Sequence, residues 1–580
     1  MVTKEDQVKF YEEELKELEF SVKKVFNATG ASLFSKGNLY VGQYRGVDFK
    51  RGNVFVDIPS GQKYHAPRLD QKLICFTLKA GLERPSGWGN LTYSDLLNDR
   101  NRTDARIVDY IPSKRKGWIT MLIREMDTEF IEGMQYNQIL AFGPMIPPFE
   151  YLENLKCFSD SINEKGNMLW EKLLGFRFEL KDRIRPKLLT EDIDIVNEII
   201  QEVEKSKIYV LQGPPGTGKT YLVADLVSRL TLANNSVLIT ALTNKAAIEV
   251  CEKPFVDKLF DEQRVSKLPI SIDEKKKFPK IVNATDLLPI KGHLILTTFY
   301  QFSRVWEQQT QEYDYVIVEE ASQAYLTTIA AACKVGKKVI VVGDPKQIVT
   351  IVTNKNYKMF ENIDLLINGM NTVSQIEDFS FNRKIETRRL TKRSTRFTNR
   401  FYNNTIQSKS LYKNIVTDIR KLNTLSSITH PKGGPTLIQF SNKYGNVLEQ
   451  MIRFLVMGID DLTELKKNDI AVLTPYVETL TYLQQTLKSK TIKRNYIIES
   501  VDRVQGLDVD YCFYVIPKSS SFSFNLNRFN VATSRAKKST YILVEKDFHH
   551  FVNLPNEVEG YLKSLKEEFS FNFSGEMEWD

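Results

Sequence analysis

A glycine-rich loop at residues 213–220, with the sequence GPPGTGKT, constrains the fold of this chain more than any other segment. The apolar run KIYVL (207–211) precedes the loop, and YLVADLVSRL (221–230) follows it with the spacing of an amphipathic helix. A strand, a tight turn and a helix in this order direct backbone N–H groups and a helix N-terminus at a phosphate. The segment therefore predicts a nucleoside triphosphate site, and the alternative is a chance match in a surface turn.

The residue types within this loop match the groups of a nucleotide. Glycines let the backbone curl without Cβ clashes. We expect Lys219 to reach the β- and γ-phosphates and the Thr220 hydroxyl to ligate Mg²⁺. ATP and Mg²⁺ are therefore the predicted cofactors. The predicted phosphate-binding residues are Gly213, Gly216, Thr217, Gly218, Lys219 and Thr220.

Composition indicates a globular protein of several domains. The 580 residues correspond to three to four domains of about 150 residues each, and no segment approaches the roughly 20 apolar residues that span a bilayer. Five scattered cysteines without a C-x-x-C pair argue against a disulfide framework or a zinc module. We expect an intracellular protein, cytoplasmic or nuclear, with no membrane partner. The net charge of +8 permits a polyanionic partner without requiring one.

The pattern of apolar residues divides the chain into segments. Short alternating runs between turn residues predict a small antiparallel barrel ahead of the loop. From residue 207 onward, apolar β-branched runs alternate with helical patterns, which is typical of parallel sheets buried on both faces. The predicted segments are an N-terminal helix (1–26), a small β-barrel (27–148), a helical linker (149–205), a first α/β domain (206–375), a second α/β domain (376–553) and a tail (554–580) that is either a packed helix or disordered.

Six further segments follow in a fixed order and, with the loop, resemble the superfamily 1 helicases, in particular the nonsense-mediated-decay helicase and senataxin group. The resemblance covers about residues 190–545 and implies two tandem RecA-like P-loop domains. The segments are TALTNKAAIEV (240–250), YDYVIVEEASQA (313–324), KKVIVVGDPKQI (337–348), RRLTKRSTRFTNRFYNN (388–404), IAVLTPYVETLTYL (470–483) and the pair VDRVQGLDVDYCFYVI (501–516) and NRFNVATSRAKKSTYIL (527–543).

The resemblance implies roles for residues of the first α/β domain. Thr243 and Asn244 match a segment that touches the nucleic-acid backbone, although an ordinary helix N-cap is the alternative. Glu319 stands at the Mg²⁺-binding position, where the family usually has aspartate, and Glu320 matches the residue that activates the attacking water. Gln347 matches the glutamine that senses the γ-phosphate. The extra methylene of Glu319 puts the ATPase rate in question.

Further roles fall in the second α/β domain. The resemblance implies two arginine fingers on the γ-phosphate, Arg393 and Arg535, with Arg396 or Arg389 as alternatives to the first. Tyr476 is expected to stack on adenine, with a core tyrosine at a strand end as the alternative. The remaining implied contacts are Gly506 near the γ-phosphate and Asp508 on the ribose.

We therefore expect an ATP-dependent helicase or translocase acting on RNA or DNA, with 5′→3′ polarity implied by the resemblance alone. Its partner would be single-stranded or partly duplex nucleic acid, held mainly through phosphates and stacking. The barrel would contact nucleic acid or protein partners. A nucleic-acid-stimulated ATPase that remodels or senses complexes without processive unwinding is the alternative. A scaffold that keeps nucleotide but has lost hydrolysis is the third hypothesis.

Overall fold

The computed structural model of the protein describes residues 2–60, 65–69, 71–78, 81–97, 101–181, 184–412, 415, 422–464, 469–490, 496–504, 506–548 and 553–573. These residues form a closed antiparallel barrel followed by two parallel sheets with helices on their faces. Within these ranges, every helix is too short or too polar to cross a membrane.

The first helix, Lys4–Phe26, anchors the N-terminus to the first parallel sheet. It begins with a capping box in which Thr3 and Asp6 exchange hydrogen bonds. Its inner face buries Phe10 and Tyr11 in the same apolar core as the strands of that sheet. The helix therefore belongs structurally to the first α/β domain, although the barrel separates the two in sequence.

A closed barrel of six antiparallel strands follows, in the order β1-β2-β5-β4-β3-β6. Inward side chains alternate with outward ones, as in β4, so that the apolar half of each strand fills the interior. The strands are β1 (Tyr40–Asp48), β2 (Asn53–Pro59), β3 (Lys72–Thr77), β4 (Arg102–Pro112), β5 (Trp118–Arg124) and β6 (Ile139–Pro144). Its short helices are Gly30–Ser35, Pro85–Trp88, Tyr93–Leu97 and Thr128–Glu132.

The first parallel sheet has nine strands in the order β11-β10-β12-β9-β13-β14-β8-β15-β7, and all its paired strands are parallel. Apolar cores lie on both of its faces, which explains why its central strands lack polar alternation. The strands are β7 (Lys187–Leu189), β8 (Ile208–Gln212), β9 (Val237–Ala241), β10 (Val265–Leu268), β11 (Val282–Asn283), β12 (Leu294–Thr298), β13 (Tyr313–Glu319), β14 (Gly336–Gly343) and β15 (Ser380–Lys384).

Helices cover this sheet and the approach to it. Those ahead of the phosphate loop are Glu150–Asp160, Leu169–Leu174 and Ile195–Ser206. Those after it are Lys219–Leu232, Asn244–Glu249, Asp257–Asp261, Ile272–Lys277, Phe299–Ser303, Leu326–Val335, Asp364–Ile367 and Gly369–Val373.

The second parallel sheet has six strands in the order β20-β19-β21-β22-β18-β23. A two-stranded pair, β16 (Glu386–Thr387) and β17 (Gln407–Ser408), connects the two sheets. The strands of the second sheet are β18 (Gly434–Phe440), β19 (Ile470–Thr474), β20 (Ile497–Ser500), β21 (Val509–Ile516), β22 (Ala536–Glu545) and β23 (Ser570–Phe573). Its helices are Lys392–Thr398, Val447–Glu464, Val477–Lys490, Leu526–Thr533 and Asn556–Glu568.

Strand pairing moves three of the predicted boundaries. β7, from the predicted helical linker, pairs with β15, and β15 itself lies beyond residue 375 yet pairs with β8 of the first sheet. In the predicted tail, β23 pairs with β18 of the second sheet, while residues 574–580 lie outside the described residues. The backbone N–H and C=O groups of these strands form hydrogen bonds with strands distant in sequence. The local pattern of residues therefore does not predict where these strands lie.

Candidate active site

A cavity of about 740 Å³ opens between the two parallel sheets. Its walls combine the phosphate loop with charged side chains from both halves of the chain. The charged or polar residues in these walls include Lys219, Thr220, Glu249, Glu320, Gln347, Arg389, Asp508 and Arg535.

The phosphate loop has the backbone that its glycines predict. It runs from the end of β8 to the start of the helix Lys219–Leu232, and Gly216 and Gly218 have positive φ values of 72° and 74°. Thr217 donates through its hydroxyl to the Pro214 carbonyl at 2.8 Å. Lys219 Nζ donates to the Gly213 carbonyl oxygen at 2.7 Å, so the ammonium lies folded over the loop. Lys219 and Thr220 line the cavity, whereas Gly213 lies behind the Lys219 side chain.

The two acidic residues at the end of β13, Glu319 and Glu320, occupy different environments. Glu319 is 1% exposed, and its Oε2 has no hydrogen-bond partner among the described residues. Burial, followed by the charge of Glu320, raises the pKa of Glu319 well above its usual value. Glu320 lines the cavity and has a φ of 51°, in a region that L-residues rarely adopt.

Glu249 adds a third carboxylate that the sequence patterns missed. It ends the helix Asn244–Glu249, lines the cavity and lies 3.6 Å from Lys253. Burial raises the pKa of Glu249, Lys253 lowers it and Glu320 raises it further. In the sequence, the only signal for Glu249 is that it lies five positions after Asn244. That spacing does not indicate that its side chain would face the cavity.

Arg535 reaches the cavity from the second half of the chain. It is buried, its Nε donates to the Val531 carbonyl at 2.9 Å, and its Nη2 lies 3.5 Å from Oε1 of Gln347. Burial, with the nearby charge of Arg389, lowers the pKa of Arg535 to about 9. Gln347 also lines the cavity and donates through Nε2 to Asp344. The structure thus brings Gln347 and Arg535 together.

The prediction for Arg393 needs correction. This arginine points away from the cavity, where its Nε contacts Glu568 at 2.8 Å and its Nη1 donates to the carbonyls of Gly433 and Pro435. Arg389 lines the cavity instead, four residues earlier. The reason is that the helix Lys392–Thr398 begins after Arg389 and turns Arg393 toward the second sheet. Arg396, the other alternative, also pairs with Glu568.

The prediction for Tyr476 also needs correction. Tyr476 does not line the cavity; its hydroxyl lies 2.6 Å from the Ser520 hydroxyl and donates to the Lys518 carbonyl at 2.8 Å. These bonds hold its ring beside Phe522, with centroids 6.0 Å apart. The aromatic residues at the cavity wall are Tyr221 and Tyr412.

Gly506 and Asp508 both line the cavity. Gly506 has a φ of 80°. The Asp508 carboxylate lies 2.6 Å from Nε of Arg389 and 3.4 Å from Nζ of Lys537. The carboxylate is therefore held by two cations.

The two predicted nucleic-acid contacts lie outside the cavity on an exposed helix start. Thr243 accepts a hydrogen bond from the Ala246 N–H at 3.1 Å, so the N-cap alternative is realised. Asn244 accepts through Oδ1 from Nζ of Lys267 at 2.7 Å. Lys267 is fully buried, also contacts Glu274 at 3.1 Å, and was missed because a single lysine in a short strand carries no motif.

Comparison with known proteins finds two matching domain models in this chain. Two domain models, each described as an AAA domain, match residues 196–353 and residues 346–547. The chain is 25% identical over 366 residues to the replicase polyprotein 1ab of Alphamesonivirus 1, across 60% of this chain and 7% of that one.

Two cellular relatives are similar at the same level. Uncharacterized ATP-dependent helicase MJ0104 of Methanocaldococcus jannaschii is 24% identical over 271 residues, which cover 44% of this chain and 40% of the relative. ATP-dependent helicase upf1 of Schizosaccharomyces pombe is 23% identical over 500 residues, which cover 71% of this chain and 53% of the relative. The chain thus spans less than two thirds of the length of each of these relatives.

Proposed function

Because the chain belongs to the superfamily 1 helicases of the nonsense-mediated-decay helicase type, we propose that it is an ATP-dependent helicase or translocase acting on nucleic acid. One observation carries the proposal: the cavity at the phosphate loop is completed by Arg389 and Arg535, which come from beyond the first sheet. A nucleotide bound there contacts both halves of the motor. Its binding and hydrolysis can therefore close and reopen the cleft.

On the first side, the phosphate loop receives the triphosphate. Lys219 exchanges the Gly213 carbonyl for the β- and γ-phosphate oxygens, and the loop N–H groups hold the same oxygens. Glu320, at the cavity wall, is the base that accepts a proton from the attacking water.

The donor set fits Mg²⁺. Thr220 lies at the cavity wall, and the buried Oε2 of Glu319 lacks a hydrogen-bond partner among the described residues. Few protein ligands suffice, because Mg²⁺ usually keeps several waters and takes its other ligands from phosphates. Thr220 and Glu319 are the residues that would hold the ion, and the ion would neutralise charge on the phosphates.

On the second side, the arginines stabilise charge on the transferring phosphoryl group. Arg535 and Arg389 supply cations opposite Lys219, and charge that develops in the transition state is stabilised best by groups already in place. Gln347 lies against Arg535 and connects its position to the first sheet. Gly506 and Asp508 complete the wall near the sugar and the terminal phosphate.

The nucleic-acid partner is single-stranded or partly duplex RNA or DNA. Thr243 and Asn244 begin a helix after β9, and both are exposed. Hydroxyl and amide side chains of this kind contact phosphates without reading sequence. The barrel is proposed as an accessory domain that flanks the strand or binds a protein partner. A 5′→3′ polarity is proposed from the resemblance.

A second candidate function is a nucleic-acid-stimulated ATPase that remodels or senses complexes without processive unwinding. The observation that favours it is Glu319, a buried glutamate one methylene longer than the aspartate that the family usually has at the Mg²⁺ position. A slow motor would hydrolyse ATP in response to a strand yet displace little duplex.

The deciding experiment measures ATP turnover of the full chain with single-stranded RNA and DNA in parallel, then strand displacement on duplexes with 5′ or 3′ overhangs. Stimulated turnover with displacement from 5′ overhangs supports the proposal. Turnover without displacement on any substrate selects the remodelling ATPase. Glu320→Gln serves as the hydrolysis-deficient control, and nucleotide binding without turnover in the wild type would indicate a scaffold that has lost hydrolysis.

A further inference from the structure

A buried carboxylate lies at the point where the two halves of the motor meet. Asp344, at the end of β14, is fully buried and accepts four hydrogen bonds. Its Oδ1 accepts from Nε2 of Gln212 at 3.0 Å and from the Lys346 N–H at 3.2 Å. Its Oδ2 accepts from Nε2 of Gln347 at 2.9 Å and from the Tyr402 hydroxyl at 2.6 Å. Tyr402 is the donor that comes from outside the first sheet.

Tyr402 packs with the second sheet and carries the contact onward. It is fully buried in the apolar core that contains strands of that sheet. Its hydroxyl oxygen accepts from Nδ2 of Asn530 at 2.7 Å, and the same amide nitrogen donates to the Lys346 carbonyl at 2.7 Å. Asn530 lies in the helix Leu526–Thr533, and Arg535 follows that helix by two residues. One phenol therefore bridges a first-sheet carboxylate and the helix that directly precedes Arg535.

The bonding pattern fixes which way the Gln347 amide points. A carboxylate only accepts, so the amide nitrogen must face Asp344; a guanidinium only donates, so the amide oxygen must face Arg535. The observed contacts obey both conditions. Asp344 thereby sets the orientation in which Gln347 meets Arg535.

The proton on Tyr402 is held in place for this role. Burial and the neighbouring Asp344 charge raise the pKa of Tyr402 well above its usual value. The hydroxyl therefore stays protonated and donates to Asp344, which leaves its oxygen lone pairs to accept from Asn530. Nδ2 of Asn530 is used by Tyr402 and Lys346, while its Oδ1 lacks a partner among the described residues.

We propose that Tyr402 is a positioning residue of the ATPase site: its hydroxyl aligns Asp344 with Asn530 and thereby sets Gln347 against Arg535 when the two halves close. Tyr402 does not line the nucleotide cavity, so it acts through these neighbours. The inference rests on the proposed function, because it assigns Arg535 to the transition state. It adds a residue outside the cavity whose loss should affect turnover more than nucleotide binding.

The test replaces one oxygen. Tyr402→Phe keeps the ring and its packing but removes the donor to Asp344 and the acceptor for Asn530. Tyr514→Phe is the matched control, because Tyr514 is equally buried in the same core and its hydroxyl donates to a backbone carbonyl, that of Ser523, at 2.7 Å. With saturating single-stranded RNA or DNA, we expect kcat for ATP to fall about tenfold in Tyr402→Phe, with KM within about twofold. The Tyr514→Phe protein should stay within about twofold of wild type.

A double-mutant comparison separates positioning from general stability. In a Gln347→Ala background, Tyr402→Phe should lower kcat for ATP by less than about twofold further, because the side chain that Tyr402 positions has been removed. Additive losses would overturn the proposal. So would a Tyr402→Phe protein that matches the Tyr514→Phe control.

A binding measurement keeps the inference separate from the proposed function. If the wild type fails to turn over ATP, the helicase proposal fails, and the same variants are compared by affinity for ADP with aluminium fluoride, which mimics the transferring phosphoryl group. Tyr402→Phe should weaken that affinity about tenfold while leaving ADP affinity within about twofold. Equal effects on both ligands, or no effect on either, would reject the role of Tyr402.

Discussion

Nε of Arg389 lies 2.6 Å from Oδ1 of Asp508, and both side chains line the cavity above the phosphate loop. Arg389 belongs to the segment that joins the two sheets, whereas Asp508 precedes β21 in the second sheet. The ion pair holds the Arg389 guanidinium at the cavity wall, whereas Arg393 bonds elsewhere. Arg389 is therefore the arginine that we propose acts together with Arg535.

Arg389→Ala should lower kcat for ATP by about 10²–10³, because a preorganised cation at the phosphoryl group is lost. Arg393→Ala should act mainly on stability, since it removes a buried guanidinium that donates to Glu568 and to the carbonyls of Gly433 and Pro435, at a cost of about 2 kcal/mol. Steady-state ATP turnover and urea unfolding of both variants provide the measurement. A loss of turnover in Arg393→Ala with unchanged unfolding free energy would restore Arg393 to the site.

Glu319→Gln should raise thermal stability at alkaline pH while weakening Mg²⁺-dependent turnover. The pKa of Glu319 is raised in the folded chain, so the folded state holds the proton more tightly than the unfolded state does. Its stabilising contribution is therefore present at acid pH and lost as the pH rises through the folded-state pKa. Glutamine avoids that loss, because it is neutral throughout.

We expect the Tm of Glu319→Gln to equal that of the wild type near pH 5 and to exceed it by about 2 °C near pH 8. Calorimetry at the two pH values measures the difference. A variant that is less stable than wild type at pH 8 would show that the ionised carboxylate stabilises the fold.

Lys267→Met should weaken nucleic-acid binding without changing ATP binding. An ammonium only donates, so Lys267 turns the carbonyl of Asn244 inward and leaves the exposed amide to donate outward. Burial lowers the pKa of Lys267, and Glu274 raises it. We expect the concentration of single strand that half-saturates ATPase stimulation to rise about tenfold, with KM for ATP within about twofold.

The exposed Lys276, on the short helix that also contains Glu274, provides the matched control. Lys276→Met removes one positive charge without touching Asn244 and should change the half-saturating concentration by less than about twofold. Equal effects in the two variants would mean that charge alone, rather than the orientation of Asn244, governs the affinity.

Glu14→Gln should loosen the N-terminal helix. The Glu14 carboxylate accepts from the Thr353 N–H at 2.9 Å, the Thr353 hydroxyl at 2.7 Å and the Asn354 N–H at 2.7 Å. An amide offers one oxygen to these donors and places an N–H₂ group beside them, at a cost of about 2 kcal/mol. Urea unfolding measures the change, and limited proteolysis after the helix should become faster.

Glu13→Gln is the comparison for this variant, since Glu13 pairs with the nearby surface residue Lys16 at 2.9 Å. A surface ion pair of this kind contributes little, so the free energy of unfolding should stay close to that of the wild type. If both variants unfold alike, the contact between the N-terminal helix and residues 353–354 contributes nothing to stability.

Much of the site could be predicted because each of its motifs lies directly at the end of a strand in the sequence. The carboxyl ends of neighbouring parallel strands lie at the same edge of the sheet. The loop after β8 and the acidic pair at the end of β13 are therefore expected to lie close together. Arg393 and Tyr476 were mispredicted for a common reason. Arg393 lies at the start of a helix and Tyr476 lies just after the end of a strand. At such positions, moving the helix or strand boundary by a few residues turns the side chain in another direction, and the sequence pattern does not fix that boundary.

The amino-acid sequence by itself determined that a phosphate loop would lie between a buried strand and a helix, because glycine backbone freedom and apolar periodicity are local properties. Only the tertiary structure decided which distant side chains complete the loop's cavity. Arg389 rather than Arg393, and Glu249 as an additional carboxylate, face the cavity because helices and strands remote in sequence pack there. The hydroxyl of Tyr402 met Asp344 for the same reason: burial requires each polar group to find a partner, and the fold supplied it.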